Sequence, residues 1–205
     1  MSSPYEIALG PEFAKLHPRL KEYFAGIPAG RAGIGAGTFD VVGTRRLWLW
    51  PVLWMLGRQG IVFAAWRRSV PFTVLNGPTV DAFGNPAVLG IRTFKFRLGD
   101  RVMTDAITAE RRGIVDYLGI NRRWVARLSA EVIDSQLRLE STAIAVRFGR
   151  LELKIPRSVA PVVELIERFD DAADRQHVSV SITSPQFGRL YEYSGSFAYS
   201  VVEES

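Results

Sequence analysis

From residue 60 onward, apolar side chains alternate with polar ones in a series of short runs. The runs are rich in β-branched and aromatic residues, and turns containing glycine, asparagine and proline separate them. Because successive side chains of a strand point to opposite faces, this period of two predicts half-buried β-strands. The predicted strands span residues 61–67, 70–75, 88–98, 101–111, 113–117, 124–133, 178–183 and 190–201, and residues 137–155 form a pair of strand-like runs.

Many short, evenly spaced strands predict a mainly β fold, and we expect an antiparallel barrel or a strongly curved sheet of calycin-like type. A barrel of about eight to ten strands can enclose one small ligand. The chain shows no internal repeat and no linker composition. Residues 1–205 are therefore expected to form a single domain, with its core at about residues 5–201.

Several segments depart from the simple alternation. Residues 11–25 have apolar side chains at helical spacing, and Pro18 is expected to split this helix in two. Residues 26–37 contain five glycines, which predicts a loop or an irregular strand. Residues 162–169 fit a helix as well as a strand. At Gly149 the alternation slips by one position, which predicts a β-bulge.

Residues 47–57 form the most apolar stretch of the chain and have arginines on both sides. The stretch is too short to cross a bilayer as a helix, which takes about 20 residues. Three interpretations stay open: a helix that plugs one end of the barrel, an anchor at a membrane interface, and a lid over a lipophilic pocket. The apolar character runs nearly all round the segment, which favours burial. The core residues of such a plug would be Trp48, Leu49, Val52, Leu53 and Leu56.

The charged residues exclude some functions and favour others. The net charge is +5, and most of the basic residues are arginines. Four Arg-Arg pairs are dispersed along the chain rather than gathered in one stripe, which is not typical of a nucleic-acid-binding protein.

The absence of cysteine excludes disulfides and thiolate metal sites. The first residues lack the pattern of a secretory signal, so a cytoplasmic location is expected.

Arg92 is the most informative single residue. Within the predicted strand 88–98 it lies on the same face as Phe94 and Phe96. A guanidinium on an apolar face needs an anion or several carbonyl groups, because an isolated buried charge is very costly. Arg92 is therefore predicted to bind an acidic group of a ligand or to form a structural salt bridge with Glu110 or Glu140.

Groups that could perform catalysis are few. The chain has two histidines, His17 and His177, which we expect to lie at the surface or in packing positions. The carboxylates of the predicted strands have the spacing of a polar outer face: Asp105, Glu110, Asp116, Glu131 and Glu140. We predict no catalytic residue, no metal site and no cofactor, and a binding module fits the sequence better than an enzyme.

Three segments carry a resemblance to a known family: the opening residues 8–18, the middle strand 90–94 and the closing strand 188–195. On these segments the chain resembles, over about residues 5–201, the bacterial family named domain of unknown function 4166 (DUF4166). Gly90 stands where that family usually has tryptophan. The resemblance implies a β-hairpin over residues 162–183. It also implies a dehydrogenase-like protein partner, since family members often follow a saccharopine-dehydrogenase-like nucleotide-binding domain.

We expect a non-catalytic module that binds a lipophilic, anionic small molecule inside the barrel. One alternative is an enzyme, or the substrate-side partner of a separate NAD(P)-dependent oxidoreductase. The other is a peripheral protein that docks on a membrane surface through residues 47–57. The pattern of residues defines no oligomeric state. The predicted ligand-binding residues are Arg92, Phe94, Phe96, Trp48, Trp54, Tyr191 and Tyr193.

Overall fold

The computed structural model describes residues 2–81, 83–110 and 113–203. Within these residues, ten antiparallel strands close into a barrel, and a short further strand pairs with the edge of one of them. The expected mainly β barrel is therefore confirmed. The strands are β1 (Arg31–Gly43), β2 (Trp66–Val80), β3 (Pro86–Phe96), β4 (Gly99–Glu110), β5 (Gly113–Leu118), β6 (Trp124–Ile133), β7 (Gln136–Phe148), β8 (Leu151–Lys154), β9 (Val162–Asp170), β10 (Arg175–Ser184) and β11 (Gly188–Glu203).

Strands that follow one another in the chain are neighbours in the barrel, and β1 pairs with β11 to close it. The exception is β8, because β7 divides its free edge between two partners. The first part of β7 pairs with β9 through Leu137–Glu140, and its last part pairs with β8 through Ala145–Phe148. The slip in the alternation at Gly149 is thus a hairpin turn between β7 and β8, and the predicted bulge at this position is wrong.

Short helices close one end of the barrel, called the helical end below. They are α1 (Pro4–Leu9), a 3₁₀ turn (Gly10–Lys15) and α2 (Pro18–Phe24), so Pro18 splits the predicted helix as expected. Ser3 begins α1 with a capping box, in which its hydroxyl accepts from the Glu6 amide and the Glu6 carboxylate accepts from the Ser3 amide. The helices bury Leu9, Leu16, Leu20 and Phe24 against the barrel.

The opposite end carries α3 (Trp50–Arg58), preceded by a 3₁₀ turn (Leu47–Leu49). Leu49, Leu53 and Leu56 face the barrel core, and Leu53 is only 6% exposed. The prediction that Trp48 and Val52 also belong to the core is wrong, because they are 55% and 51% exposed. The spacing of Leu49, Leu53 and Leu56 follows one stripe of a helix, so the apolar side chains on the opposite face, such as Trp48 and Val52, point to solvent.

Aromatic rings fill the barrel interior between these ends. Phe39 stacks on Phe72 with ring centroids 3.9 Å apart, and on Phe94 at 5.0 Å. Tyr191, Tyr193 and Phe197 of β11 complete this core. The packing explains why residues 31–37 form a regular strand rather than a loop. A Cβ at Gly33 would lie 1.6 Å from the hydroxyl oxygen of Tyr199, so the glycine leaves the space that the ring occupies.

The remaining element boundaries confirm most of the predicted strands. Residues 162–169 are strand in β9, and β9 forms the expected hairpin with β10. Residues 61–65 were predicted as strand but lead from α3 to β2, because Ile61, Val62 and Phe63 pack directly into the core. The predicted end of β4 at Arg111 lies outside the described residues.

Candidate functional site

Arg92 lies inside the barrel and forms an ion pair with Asp105 of β4, in which its Nη1 donates to Oδ2. The predicted partners are wrong: Glu110 binds Arg127, and Glu140 binds Arg138. Both side chains of the pair are largely buried, at 17% and 7% exposure. Burial opposes the charge of Arg92, but the carboxylate of Asp105 holds the pKa of Arg92 well above its usual range.

Gly90 makes room for this ion pair. It lies opposite Asp105 in the register of β3 and β4, and a Cβ at position 90 would be 2.3 Å from Asp105 Oδ1. That oxygen is buried and accepts no hydrogen bond from the described residues. A cavity of about 20 Å³ beside it is lined by Tyr5, Tyr23 and Asn76, among others. Such a volume holds about one water molecule.

Two further carboxyl groups point into the barrel. Burial, followed by the charge of Asp105, raises the pKa of Asp116 well above its usual range, although the charge of Arg92 opposes this. Burial raises the pKa of Glu167 to about 7, against the hydrogen bond from Gln176 and the charge of Arg92. We call Arg92, Asp105, Asp116, Glu167 and Gln176 the polar layer.

Sequence reasoning placed Asp105 and Asp116 among outer-face carboxylates, and it missed Glu167 altogether. The signal for Glu167 is present in the alternation of Val163, Leu165, Glu167 and Phe169, whose apolar members pack toward the core. Once residues 162–169 are assigned to a strand rather than a helix, this alternation places Glu167 on the inner face of the barrel. The polar layer contains two pairs, Arg92 with Asp105 and Gln176 with Glu167, which form a buried structural network. Asp116 Oδ1 is buried without a hydrogen-bond partner among the described residues.

A cleft of about 310 Å³ opens at the helical end, between α2 and the strands β9 to β11. Tyr23, Gln176 and Tyr199 are among its lining residues. Its charged rim is internally neutralised, since Arg19 pairs with Glu22 at 3.3 Å and with Asp174 at 3.6 Å. The histidines are at this end too: His17 Nε2 lies 3.3 Å from Asp171, and His177 Nε2 lies 3.8 Å from Asp170.

The α3 end presents apolar side chains to solvent. Trp48 packs edge-on against Phe187 of the β10–β11 turn, with ring centroids 5.3 Å apart. At the tip of the β3–β4 hairpin, Leu98 is 95% exposed. The exposed apolar residues of this end, called the apolar patch, are Leu47, Trp48, Val52, Trp54, Met55, Leu98 and Phe187.

Arginines accompany the apolar patch. The Arg58 guanidinium lies 4.9 Å from the centroid of the Trp54 ring, and Arg45 lies 4.8 Å from that of Trp66. Arg46 Nε donates to the Arg189 carbonyl oxygen at 2.7 Å. Of the eight arginines here, only Arg189 forms an ion pair with a carboxylate of the described residues, namely Glu192. The eight are Arg45, Arg46, Arg58, Arg67, Arg68, Arg97, Arg101 and Arg189.

A second cleft, of about 440 Å³, lies at the α3 end. Three of its lining residues are arginines, namely Arg67 at the start of β2 and Arg97 and Arg101 around the β3–β4 turn. We call it the arginine cleft. The other lining residues are Trp50, Ala64, Ala65, Phe96 and Leu98.

The structure divides the predicted ligand-binding residues between two places. Arg92 and the nearby aromatic side chains of β3 and β11 lie inside the barrel, whereas Trp48 and Trp54 lie on its outside at the α3 end. They do not form one site. The interior members are Arg92, Phe94, Phe96, Tyr191 and Tyr193.

The described residues contain no group of three His, Cys, Asp or Glu side chains placed to hold a metal ion. None of the helices formed by these residues is long and apolar enough to cross a membrane.

A family model described as domain of unknown function (DUF4166) matches residues 16–197. The chain belongs to the DUF4166 family. The match begins within the opening segment that suggested this family and includes the middle strand with Gly90. Gly90 leaves the space for the Arg92–Asp105 pair. A comparison with curated proteins found no match.

Proposed function

We propose that this DUF4166 protein binds anionic membrane surfaces through the α3 end of its barrel. The observation that carries the proposal is the exposure of the apolar patch beside eight arginines, seven of which have no carboxylate partner among the described residues. A helix that is apolar all round normally lies in a core or in lipid. Residues 47–58 contribute only one face to the core, at Leu49, Leu53 and Leu56, so a lipid surface is a suitable environment for Trp48, Val52 and Met55.

The arginines supply the electrostatic part of the interaction. Each basic side chain near an anionic leaflet contributes about 1 kcal/mol, and tryptophan is enriched at head-group depth. In the contacts of Arg58 with Trp54 and of Arg45 with Trp66, a basic group and a tryptophan ring lie side by side, so each contact suits the head-group region of an anionic leaflet. Long arginine side chains can keep the guanidinium among the phosphates while their stems lie along apolar surface.

The hypothesis of a lipophilic ligand inside the barrel gains no support from the described interior. Binding pockets for small molecules have volumes of about 300–1,000 Å³. The cavity beside Arg92 has a volume of about 20 Å³. We therefore place the contact with a lipophilic, anionic molecule outside the barrel. The enzyme and oxidoreductase-partner alternatives stay predictions.

Vesicle sedimentation tests the proposal. The protein is mixed with vesicles of phosphatidylcholine alone, or of phosphatidylcholine with phosphatidylglycerol, at low and high ionic strength. We expect it to sediment with the anionic vesicles at low salt, and less so at high salt because ions screen exposed charges. If it stays in the supernatant with anionic vesicles at low salt, the proposal is wrong.

A further inference from the structure

We propose that the arginine cleft binds the phosphate group of one anionic phospholipid. This inference rests on the proposed membrane function and names the lipid group that the α3 end recognises. The cleft is bounded by the start of β2, the β3–β4 hairpin and the first residue of α3. Its volume of about 440 Å³ lies within the range of single-ligand pockets.

The charge of the cleft favours an anion. Arg67, Arg97 and Arg101 line it, and no carboxylate of the described residues does. The carboxylate of Asp100 on the same hairpin is already bound by Lys95. None of the three arginines forms an ion pair within the described part of the chain. Guanidinium groups bind phosphate oxygens bidentately, so three of them around one cleft fit a phosphate better than a lone carboxylate.

The floor of the cleft favours an amphipathic anion over a free one. Ala64 and Ala65 are small and Phe96 is aromatic, so the arginines stand around an apolar base. The glycerol and first acyl carbons of a phospholipid can cover this base while its phosphate lies between the guanidinium groups. Inorganic phosphate would leave the same apolar surface in water.

Trp50 and Leu98 extend the apolar surface of the cleft. Leu98, at the outer edge of the cleft, is the most exposed apolar residue of the apolar patch and is suited to enter the acyl region beside the bound lipid.

Two triple variants with the same change in charge at the same end of the barrel test the inference. The cleft variant carries Arg67→Gln, Arg97→Gln and Arg101→Gln. The matched variant carries Arg45→Gln, Arg58→Gln and Arg68→Gln, which lie outside the cleft lining. All six arginines are exposed, so both variants are expected to fold, and thermal melting checks this.

Binding is measured by calorimetry with dihexanoyl phosphatidic acid below its micelle-forming concentration, and with inorganic phosphate. We expect the wild type and the matched variant to bind one lipid each, and the cleft variant to bind it at least about tenfold more weakly. Inorganic phosphate is expected to bind the wild type at least about tenfold more weakly than the lipid.

Three results would overturn the inference: no binding of the short-chain lipid by the wild type, equal losses in the two variants, or inorganic phosphate bound as tightly as the lipid. Vesicle sedimentation separates these failures from failure of the proposed function. If the wild type sediments with anionic vesicles but the cleft and matched variants bind the short-chain lipid equally, the cleft alone is refuted. Wild-type protein that binds the short-chain lipid but not vesicles refutes membrane docking and leaves the cleft as a site for a soluble amphipathic anion.

Discussion

The two ends of the barrel use similar residues in opposite ways. At the helical end, Leu16, Leu20 and Phe24 point inward and Arg19 is paired with carboxylates. At the α3 end, Trp48 and Trp54 point outward, and seven of the eight arginines have no carboxylate partner among the described residues. At the helical end, the apolar side chains of α2 and the charge of Arg19 have partners within the protein. The α3 end leaves both kinds unsatisfied, which is expected of a surface that meets a partner.

Sequence spacing accounts for this difference. In α2 the buried Leu20 and Phe24 alternate with the charged Arg19 and Glu22, so the helix has a polar face for solvent. In α3 the outward positions are themselves apolar, and the helix has no such face. The comparison predicts that changes in the interior affect stability without affecting membrane binding, and that changes at the α3 end do the reverse.

The largest effect is expected from Arg92→Met. Removing one member of a buried ion pair typically costs about 3–5 kcal/mol, because Asp105 is left charged and unpaired. Urea unfolding measures the free energy of unfolding, and vesicle binding of the folded fraction should not change. Arg138→Met is the control, since its ion pairs with Glu140 and Glu164 are more exposed and should contribute no more than about 1 kcal/mol. Equal stabilities for both variants would refute a structural role for Arg92.

Glu167→Gln is expected to remove part of the pH dependence of stability. Burial raises the pKa of Glu167 from 4.5 to about 7, so the folded protein holds its proton more tightly than the unfolded chain does. The resulting stability is complete below about pH 4.5 and is lost as the pH rises through about 7, by about 3 kcal/mol. Glutamine cannot ionise, so the variant should gain stability relative to the wild type at pH 8 and not at pH 4.

Urea unfolding at these two pH values measures the effect of Glu167→Gln. Glu164→Gln on the same strand serves as a control, because Glu164 is more exposed and is paired with Arg138 at 2.8 Å. The prediction would be contradicted if the wild type were equally stable at pH 4 and pH 8 and the variant gained no stability at pH 8. Glu167 would then not have a pKa raised by burial.

Replacing Trp48 and Trp54 together by alanine is expected to weaken binding to anionic vesicles by about 2–3 kcal/mol. Full burial of a large apolar side chain gives about 1.5–3 kcal/mol, and insertion at an interface buries only part of each ring. The free energy of unfolding should change little, since both side chains are more than half exposed. A vesicle titration and a urea titration give the two numbers. A large loss of stability with normal vesicle binding would show that Trp48 and Trp54 stabilise the fold and do not bind the membrane.

The smallest predicted effect compares one arginine at each end. Arg58→Gln should weaken vesicle binding by about 1 kcal/mol, or about fivefold. Arg175→Gln at the helical end removes the same charge from an exposed position and should leave vesicle binding nearly unchanged. Equal effects would mean that net charge, rather than the α3 end, governs binding.

The sequence predicted the barrel well because strand alternation and turn residues are local signals. It also predicted the split at Pro18 for the same reason. It could not show which face of α3 is buried, since Leu49, Val52 and Trp48 are all apolar and only the barrel decides between them. The regular strand at Gly33 likewise depends on a distant ring, that of Tyr199.

The candidate site was harder to predict than the fold. A run of alternating residues places Arg92 on the inner face but does not identify its partner, because that depends on which strands are neighbours and in what register. Asp105 is the partner of Arg92 because β3 pairs with β4 in a register that places Asp105 opposite Gly90, two residues from Arg92. The arginines of the α3 end are dispersed in the sequence and are gathered only by closure of the barrel.

The most direct test of membrane docking uses the absence of native cysteine, which allows a single spin label to be placed cleanly. One variant carries Val52→Cys on the outer face of α3, and the other carries Asp174→Cys at the helical end. With anionic vesicles at low salt, the label at position 52 should become accessible to oxygen in the acyl region and shielded from a water-soluble relaxation agent. The label at position 174 should stay in water. Labels that remain equally water-accessible on vesicle-bound protein would contradict docking through the α3 end.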